Sequence, residues 1–450
     1  MSSRSLSKDA VSVLGTRAVW TVMSMATGII LARMLGPHDR GILALVLLLP
    51  STVVTVAKFG ITQANVYFIN REQYSAKAVA SNAAALAIGL SIASCAICWL
   101  LRDWLLSTIL PGVETWALVL ALARVPMLLL DDYLYGVLQA TGQFKLYNTR
   151  LIMSESLRVA LVVVCLLVLH MGLFATILIY TAVTLFNIIW LITSMRKTIP
   201  FDLSVDWKLL KGQLEFGAKS YVQTLTSHLL LRIDVYMVAA LLKNPAEAAF
   251  YSLALRFTEM VLEVPQAVGL VLYPRLAALD EAKIYEMTAQ ACRRTLLLSG
   301  TGAAMIGFIG PWMITVWYGK DYTPAGAPLP WAAVGVVAMS IFVILTRAFT
   351  SRHRQQVNIA AGMIALVTNV VLNLFLIPSM GIVGASMATA ISYSGACVLL
   401  MVAFLKQSGM SPLRVLIADG DDLRYFWQVL RQAVERGGRR FGLGSAPAGR

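Results

Sequence analysis

Charge is scarce in this chain. Only 13% of its 450 residues are Asp, Glu, Lys or Arg, and 58% are hydrophobic. An ordinary soluble domain carries about 25% charged and about 45–50% apolar residues. The shortage excludes a water-soluble globular protein, and the wealth of Leu, Ile, Val and Phe excludes a disordered one. Histidine is rarer still, with four residues at 38, 170, 228 and 353, and no metal site assembles from that spacing. The five cysteines, Cys95, Cys98, Cys165, Cys292 and Cys397, all lie in or beside apolar stretches. Cys95 and Cys98 have redox-pair spacing, but no strand precedes them, so they read as small helix- or lipid-facing residues. The sequence shows no catalytic triad and no phosphate-cradling glycine loop, and it implies no enzyme, cofactor or catalytic residue. The N-terminal apolar stretch lacks a small-residue cleavage site and is long enough to span, so no cleavable signal is expected.

What the chain has in abundance is long apolar runs. A hydrocarbon core of about 30 Å needs about 20 apolar residues per helix. Reading the runs against Gly, Pro and charge predicts twelve spans: 11–34, 42–69, 79–101, 116–139, 148–169, 173–195, 213–242, 247–273, 295–318, 326–350, 357–377 and 382–405. An even count places both termini on one side. Loops on that side, with the tail, carry 25 Lys and Arg, and the opposite loops carry 4: Arg40, Arg102, Lys243 and Lys320. The positive-inside rule makes the rich side, and both termini, cytoplasmic. The net charge of +14 therefore belongs to membrane topology rather than to nucleic-acid binding. All loops are short. After residue 406 the chain turns polar and basic, and Phe426, Leu430 and Val434 fall at i, i+4 and i+8 within 423–436. That pattern describes an interfacial helix on anionic lipid, with a disordered basic tail as the alternative.

The two halves repeat. Pro37 and Pro245 are 208 residues apart, as are Asp39 and Glu247. Thr141–Asn148 answers Ser351–Asn358 at an offset of 210, and Met171-Gly172-Leu173 answers Met380-Gly381-Ile382 at 209. Three matches in order point to a six-plus-six duplication about an axis along the membrane normal. The expected fold is all-α: twelve transmembrane helices in two pseudo-symmetric six-helix lobes, 1–205 and 206–406, around a central cavity, followed by the tail 407–450. Two lobes that rock about a cleft make a transporter.

Eight basic residues remain inside the predicted spans: Arg17, Arg33, Lys58, Arg124, Arg158, Lys219, Arg232 and Arg256. Each costs about 2.5–3.5 kcal/mol at a span centre, and such residues normally face the protein interior or a watery cavity. Arg158 has Glu155 three residues earlier, Arg256 has Glu259 three residues later, and Lys219 can snorkel. Arg17, Arg33, Lys58 and Arg124 have no carboxylate at i±3 or i±4, although Asp131 and Asp132 are available across helices. Arg232 and Asp234 point to different faces. Five bases face three acids in the first half, and that surplus predicts either a cationic cavity for an anionic ligand or a set of structural pairs. The candidate ligand-binding residues are Arg17, Arg33, Lys58, Arg124, Arg232 and Arg256. The candidate ion-coupling or charge partners are Asp131, Asp132, Asp234 and Glu259. Arginine suits a phosphate because its planar fork bonds two oxygens. Pro50, Pro265 and Gly310-Pro311 supply helix breakers, read either as fixed kinks or as moving parts.

LARMLGPHDRGILAL (31–45) resembles the first-to-second helix turn of bacterial oligosaccharide flippases, the polysaccharide-transport branch of the multidrug/oligosaccharidyl-lipid/polysaccharide exporter superfamily. RIDVYMVAALLKNPAEAAFYSLALR (232–256), VLYPRLAAL (271–279) and LNLFLIPSMGIVGASMATAISY (372–393) resemble its seventh-to-eighth, eighth-exit and eleventh-to-twelfth helix segments. The resemblance implies translocation of an undecaprenyl-diphosphate-linked oligosaccharide across the bacterial cytoplasmic membrane, for exopolysaccharide, O-antigen or capsule. It implies that Arg17, Arg33, Lys58 and Arg256 line the cavity. The implied partners are the polyprenyl-diphosphate-linked glycan, membrane lipids and the pathway's polymerase and glycosyltransferases. Beyond 406 no run is long enough for a thirteenth span, unlike the lipid II flippases. The alternative is a multidrug cation antiporter of the same superfamily, for which Asp131, Asp132 and Asp234 are available. The driving force stays open.

Overall fold

A computed structural model describes residues 3–424 with 427, 428 and 431, leaving the side chains of residues 3–15, 17, 18, 219 and 220 outside the description. The expected interfacial residues Phe426, Leu430 and Val434 fall outside it. Among the described residues every regular element is helical. In chain order the main helices are α1 (Ser3–Ala57), α2 (Ile61–Asn70), α3 (Ala76–Leu100), α4 (Thr115–Ala140), α5 (Phe144–Val162), α6 (Leu173–Arg196), α7 (Trp207–Leu242), α8 (Pro245–Leu276), α9 (Glu281–Tyr318), α10 (Leu329–Ser351), α11 (Gln355–Ser408) and α12 (Pro412–Leu416). A π-helical stretch, Val163–Val168, prolongs α5.

Eight of the described helices are long and apolar enough to cross a membrane by length and composition. The chain is a multi-pass membrane protein. The helices α1 and α11, which carry two of the eight, are 55 and 54 residues long, about 80 Å at 1.5 Å per residue and more than twice the hydrocarbon thickness. Each bends at one glycine: Gly36 (φ 72°, ψ 172°) and Gly381 (φ 60°, ψ −140°), conformations a side chain resists. The sequence reading expects loops at 35–41 and 378–381; the structure has a one-residue hinge in each place, and the helix resumes at once. The expected single span 42–69 is instead interrupted at 58–60, where Phe59 and Gly60 both take positive φ. Helices α4 and α8 fall outside the eight; Arg124, Asp131 and Asp132 lie in one, and Arg256, Glu259 and Glu263 in the other.

Positive-φ residues lie at or beside the matched sequence segments: Gly36 and Lys243, Gly142 and His353, His170 and Gly381. These pairs are separated by 207, 211 and 211 residues.

Two compact units form. The first comprises Met1–Leu253, Trp312–Gly326 and Asn373–Ala385. One core cluster packs Val79, Ala80 and Ala84 of α3 against Leu134, Val137 and Leu138 of α4 and Ile188, Leu191 and Met195 of α6. A ladder of buried amides crosses the same unit. Asn82 Nδ2 donates to Gln213 Oε1 (3.2 Å), Gln213 Nε2 to Asn65 Oδ1 (2.8 Å), and Asn65 Nδ2 to the Tyr133 carbonyl (3.0 Å). With no water in the bilayer core, these groups satisfy one another and so fix how α2, α3, α4 and α7 pack. The Asp206 carboxylate caps α7 through the amides of Lys208 (3.0 Å) and Leu209 (3.1 Å). Backbones meet where Gly60 touches Gly217: a Cβ on Gly217 would lie 2.3 Å from the Phe59 carbonyl oxygen.

The second unit comprises Ala254–Pro311, Ala327–Leu372 and Ser386–Arg450. Gly335 of α10 lies so close to α11 that its Cβ would sit 3.1 Å from Ala390 Cα. The Ser386 hydroxyl donates to the Pro328 carbonyl at 2.9 Å. Beyond α12 the chain folds back onto α9. Buried Asp422 accepts Arg293 Nε at 2.5 Å and Arg294 Nε at 2.9 Å, and Asp419 Oδ1 accepts the Asp422 amide at 2.8 Å. Burial would raise the Asp422 carboxyl, but the two arginines outweigh it and hold the group below the usual carboxylate range.

Gly217→Leu should destabilise the protein by about 1–3 kcal/mol, read as a lower unfolding midpoint in detergent. Gly395→Ala, which meets open space, should leave the midpoint unchanged. Asp422→Asn should release the 411–424 segment to limited proteolysis at neutral pH. Because the folded pKa is depressed, the wild-type latch is at full strength above the ordinary aspartate value of about 3.9 and is lost progressively as pH falls from there through the lower folded value.

Candidate functional site

The break after α1 places the first functional side chain. Lys58 ends the helix, its amide bonded to the Val54 carbonyl (2.9 Å), and its own carbonyl accepts the Tyr133 hydroxyl (3.2 Å). Lys58 Nζ thereby faces α4 and lies 3.7 Å from Asp132 Oδ1. The Thr62 hydroxyl donates to the other oxygen of Asp132. Around this pair lies a polar cavity of about 360 Å³, lined by Lys58, Thr62, Gln63, Val66, Asp132, Tyr135 and Gln139. The Tyr135 ring packs on Tyr147 at 4.7 Å. A second polar group lies on α1 and α7, where His228 pairs with Thr52 (3.2 Å) and Thr55 (3.4 Å) and the Tyr236 hydroxyl donates to Thr52 (3.0 Å).

Another charged cluster joins α4, α5 and α6. Glu155 Oε2 accepts Arg158 Nη1 at 2.5 Å, the i, i+3 pair expected from the sequence. The Arg158 and Arg124 guanidiniums lie 4.9 Å and 5.9 Å from the Tyr180 ring centroid, a cation–π arrangement. Arg124 is 8% exposed, and its Nε and Nη1 have no hydrogen-bond partner.

The structure corrects the charge count. Arg150, read from the sequence as an inner-loop residue, is buried in α5 and paired with Asp131. The three carboxylates of α4 and α5 thus take one base each: Asp131 with Arg150, Asp132 with Lys58 and Glu155 with Arg158. Arg124 is left with the face of an aromatic ring. Of these four bases, Arg124 is the one without a carboxylate.

The other sequence candidates are dispersed. Exposed Arg33 donates from Nε to the Trp317 carbonyl (2.8 Å) and from Nη2 to the Val316 carbonyl (2.7 Å), capping the end of α9. The side chain of Arg17 lies outside the description, as does that of Lys219. Arg232 is half-buried on α7. Asp234 is buried; its carboxylate accepts Asn373 Nδ2 at 2.6 Å and the Tyr251 hydroxyl at 3.1 Å. Arg256 is exposed on α8, and Glu259 lies one turn further on. Sequence reasoning missed Thr62, Gln63, Gln139, Arg150, His228 and Asn373. Most are uncharged polar residues inside apolar runs, a signal that a count of charges alone passes over.

The chain has recognisable relatives. A family model described as a polysaccharide biosynthesis protein matches residues 7–280. A protein of Haloferax volcanii named as probable low-salt glycan biosynthesis flippase Agl15 is 24% identical over 192 residues, 42% of this chain and 40% of that protein. The match therefore spans two-fifths of that relative's length. Among solved structures, lipid II flippase MurJ in an inward closed conformation matches with a TM-score of 0.71 at 13% identity, covering 87% of this chain and 89% of that one. An inward-facing multidrug resistance MATE family transporter of the MOP superfamily matches with a TM-score of 0.68 at 15% identity, covering 89% and 99%. At such identities the likeness to these transporters establishes the shared fold. The family model covers more than half of the sequence, and the chain belongs to the polysaccharide biosynthesis protein family.

Proposed function

We propose that this protein is a flippase that moves a polyprenyl-diphosphate-linked oligosaccharide from the inner to the outer leaflet of the bacterial cytoplasmic membrane by alternating access. Both termini are cytoplasmic, and the helices cross the membrane twelve times in a duplicated six-helix design divided near residue 205. The exported glycan serves an exopolysaccharide, O-antigen or capsule. The observation that carries the reading is the buried positive charge of Arg124, left without a carboxylate inside an apolar helical protein of this family. An anionic headgroup crossing hydrocarbon unshielded pays its full desolvation cost, and fixed cations replace the lost hydration. The bilayer also admits the lipid tail, so the protein has only the polar head to shelter.

In this reading Arg17, Arg33, Arg124, Arg232 and Arg256 supply the guanidiniums that meet the diphosphate, with Lys58 beside Asp132 in the polar cavity. Arg33 keeps Nη1 available while its other nitrogens hold the end of α9. Asp131 and Asp132 act as charge partners. Asp234 and Glu259 are the carboxylates for ion coupling, and Asp234 is the buried one. A polymerase and glycosyltransferases of the same pathway supply and consume the carried lipid-linked glycan.

Replacing Arg17, Lys58 or Arg256 by Ala should lower glycan export in complementation assays while membrane abundance stays at the wild-type level. Wild-type export from all three variants would remove the cationic site, and export of an organic cation instead would favour the antiporter reading. The role of Lys58 separates by a double substitution. If Lys58 acts only to neutralise Asp132, then Lys58→Met combined with Asp132→Leu should restore export. If it also contacts cargo, the double variant should stay as defective as Lys58→Met alone.

A further inference from the structure

The cavity at the break between α1 and α2 has a composition that the diphosphate does not explain. Its one cation, Lys58, is already matched by Asp132 at 3.7 Å, so the pair brings no net charge. A diphosphate placed there would face the Asp132 carboxylate, a like-charge contact. The remaining polar lining is uncharged. The Gln63 and Gln139 amides each offer both donor and acceptor. Asp132 is oriented by the Thr62 hydroxyl, and the Tyr135 ring is steadied by Tyr147. Val66 and the Tyr135 ring supply apolar surface.

Paired donors and acceptors beside an aromatic face match a ring bearing adjacent hydroxyls. Each hydroxyl both donates and accepts, so neighbouring hydroxyls can bond the ammonium and the carboxylate together, while the ring's C–H face meets the aromatic. The volume of about 360 Å³ lies at the small end of ligand pockets, which run about 300–1,000 Å³, and suits one or two sugar rings rather than a long oligosaccharide. Gln63 and Gln139 are both exposed, so they can bond an entering hydroxyl without first breaking a buried contact.

We infer that this cavity is a pyranose subsite. It takes an uncharged, polyhydroxylated sugar of the carried glycan, and Gln63, Gln139 and the Lys58–Asp132 pair read its hydroxyl pattern. The inference rests on the flippase reading, because it is that reading that brings a glycan to this unit. A site built to hydrogen-bond hydroxyls rejects rings that lack or invert them, since its own polar groups are then left unpaired. The cavity therefore determines specificity among sugars, and the guanidiniums hold the diphosphate that all such cargoes share.

The test uses the full chain in nanodiscs. Saturation-transfer NMR is recorded with the methyl pyranosides of glucose, galactose, mannose, rhamnose and N-acetylglucosamine, and phosphorus line broadening is recorded with inorganic pyrophosphate. At least one glycoside should receive saturation from the wild-type protein. That transfer should fall about fivefold, the worth of a lost hydrogen bond, in Gln63→Leu and in Gln139→Leu. Pyrophosphate broadening should be the same in all three proteins. No transfer to any glycoside, or transfer at the wild-type level in both variants, would overturn the subsite. Loss of pyrophosphate broadening in the variants would overturn it too, by marking the cavity as an anion site. Failure of the wild-type chain to restore glycan export would instead strike the flippase reading, and the NMR result would stand apart from it.

Discussion

A charge inside an apolar helical protein must find a counter-charge, a set of dipoles or water, because hydrocarbon supplies none of them. In the first unit that requirement governs α4. Its three charged residues within the apolar stretch, Arg124, Asp131 and Asp132, each draw a partner from a different element: Tyr180 of α6, Arg150 of α5 and Lys58 at the end of α1. Removing one member of a buried pair costs about 3–5 kcal/mol, so the contact of buried Arg150 with Asp131 fixes register as well as charge. Arg124 differs because an aromatic face offsets only part of the desolvation of a guanidinium.

Uncharged polar groups obey the same rule with smaller energies. Asn65, Asn82 and Gln213 would each be a defect alone in the bilayer, and together they form a closed ladder among α2, α3 and α7. Close backbone contact at Gly60 and Gly217 brings α7 near enough for the ladder to form. The same tight turn ends α1 at Lys58 and opens the polar cavity beside Asp132, so packing and site share one cause.

Part of the site was legible from spacing. Glu155 and Arg158 sit three residues apart on one helix, and their pairing follows from helix geometry. Asp132 was available to Lys58 across helices, and the two meet. Arg150 was not legible: its position near a turn and between polar neighbours reads as a loop, and only the inward face of α5 shows it to be buried. Arg33 was expected in a cavity and caps the carbonyls of α9, a contact between residues 283 and 284 positions apart that no local pattern announces.

Composition and apolar periodicity by themselves determined the helical membrane class, because bilayer thickness and backbone hydrogen bonding leave few other solutions. Only the tertiary structure decided which base neutralises which acid, where two long helices bend at Gly36 and Gly381, and which polar residues gather into one cavity. Those outcomes depend on side-chain contacts between helices distant in sequence, which the period of a single helix does not encode.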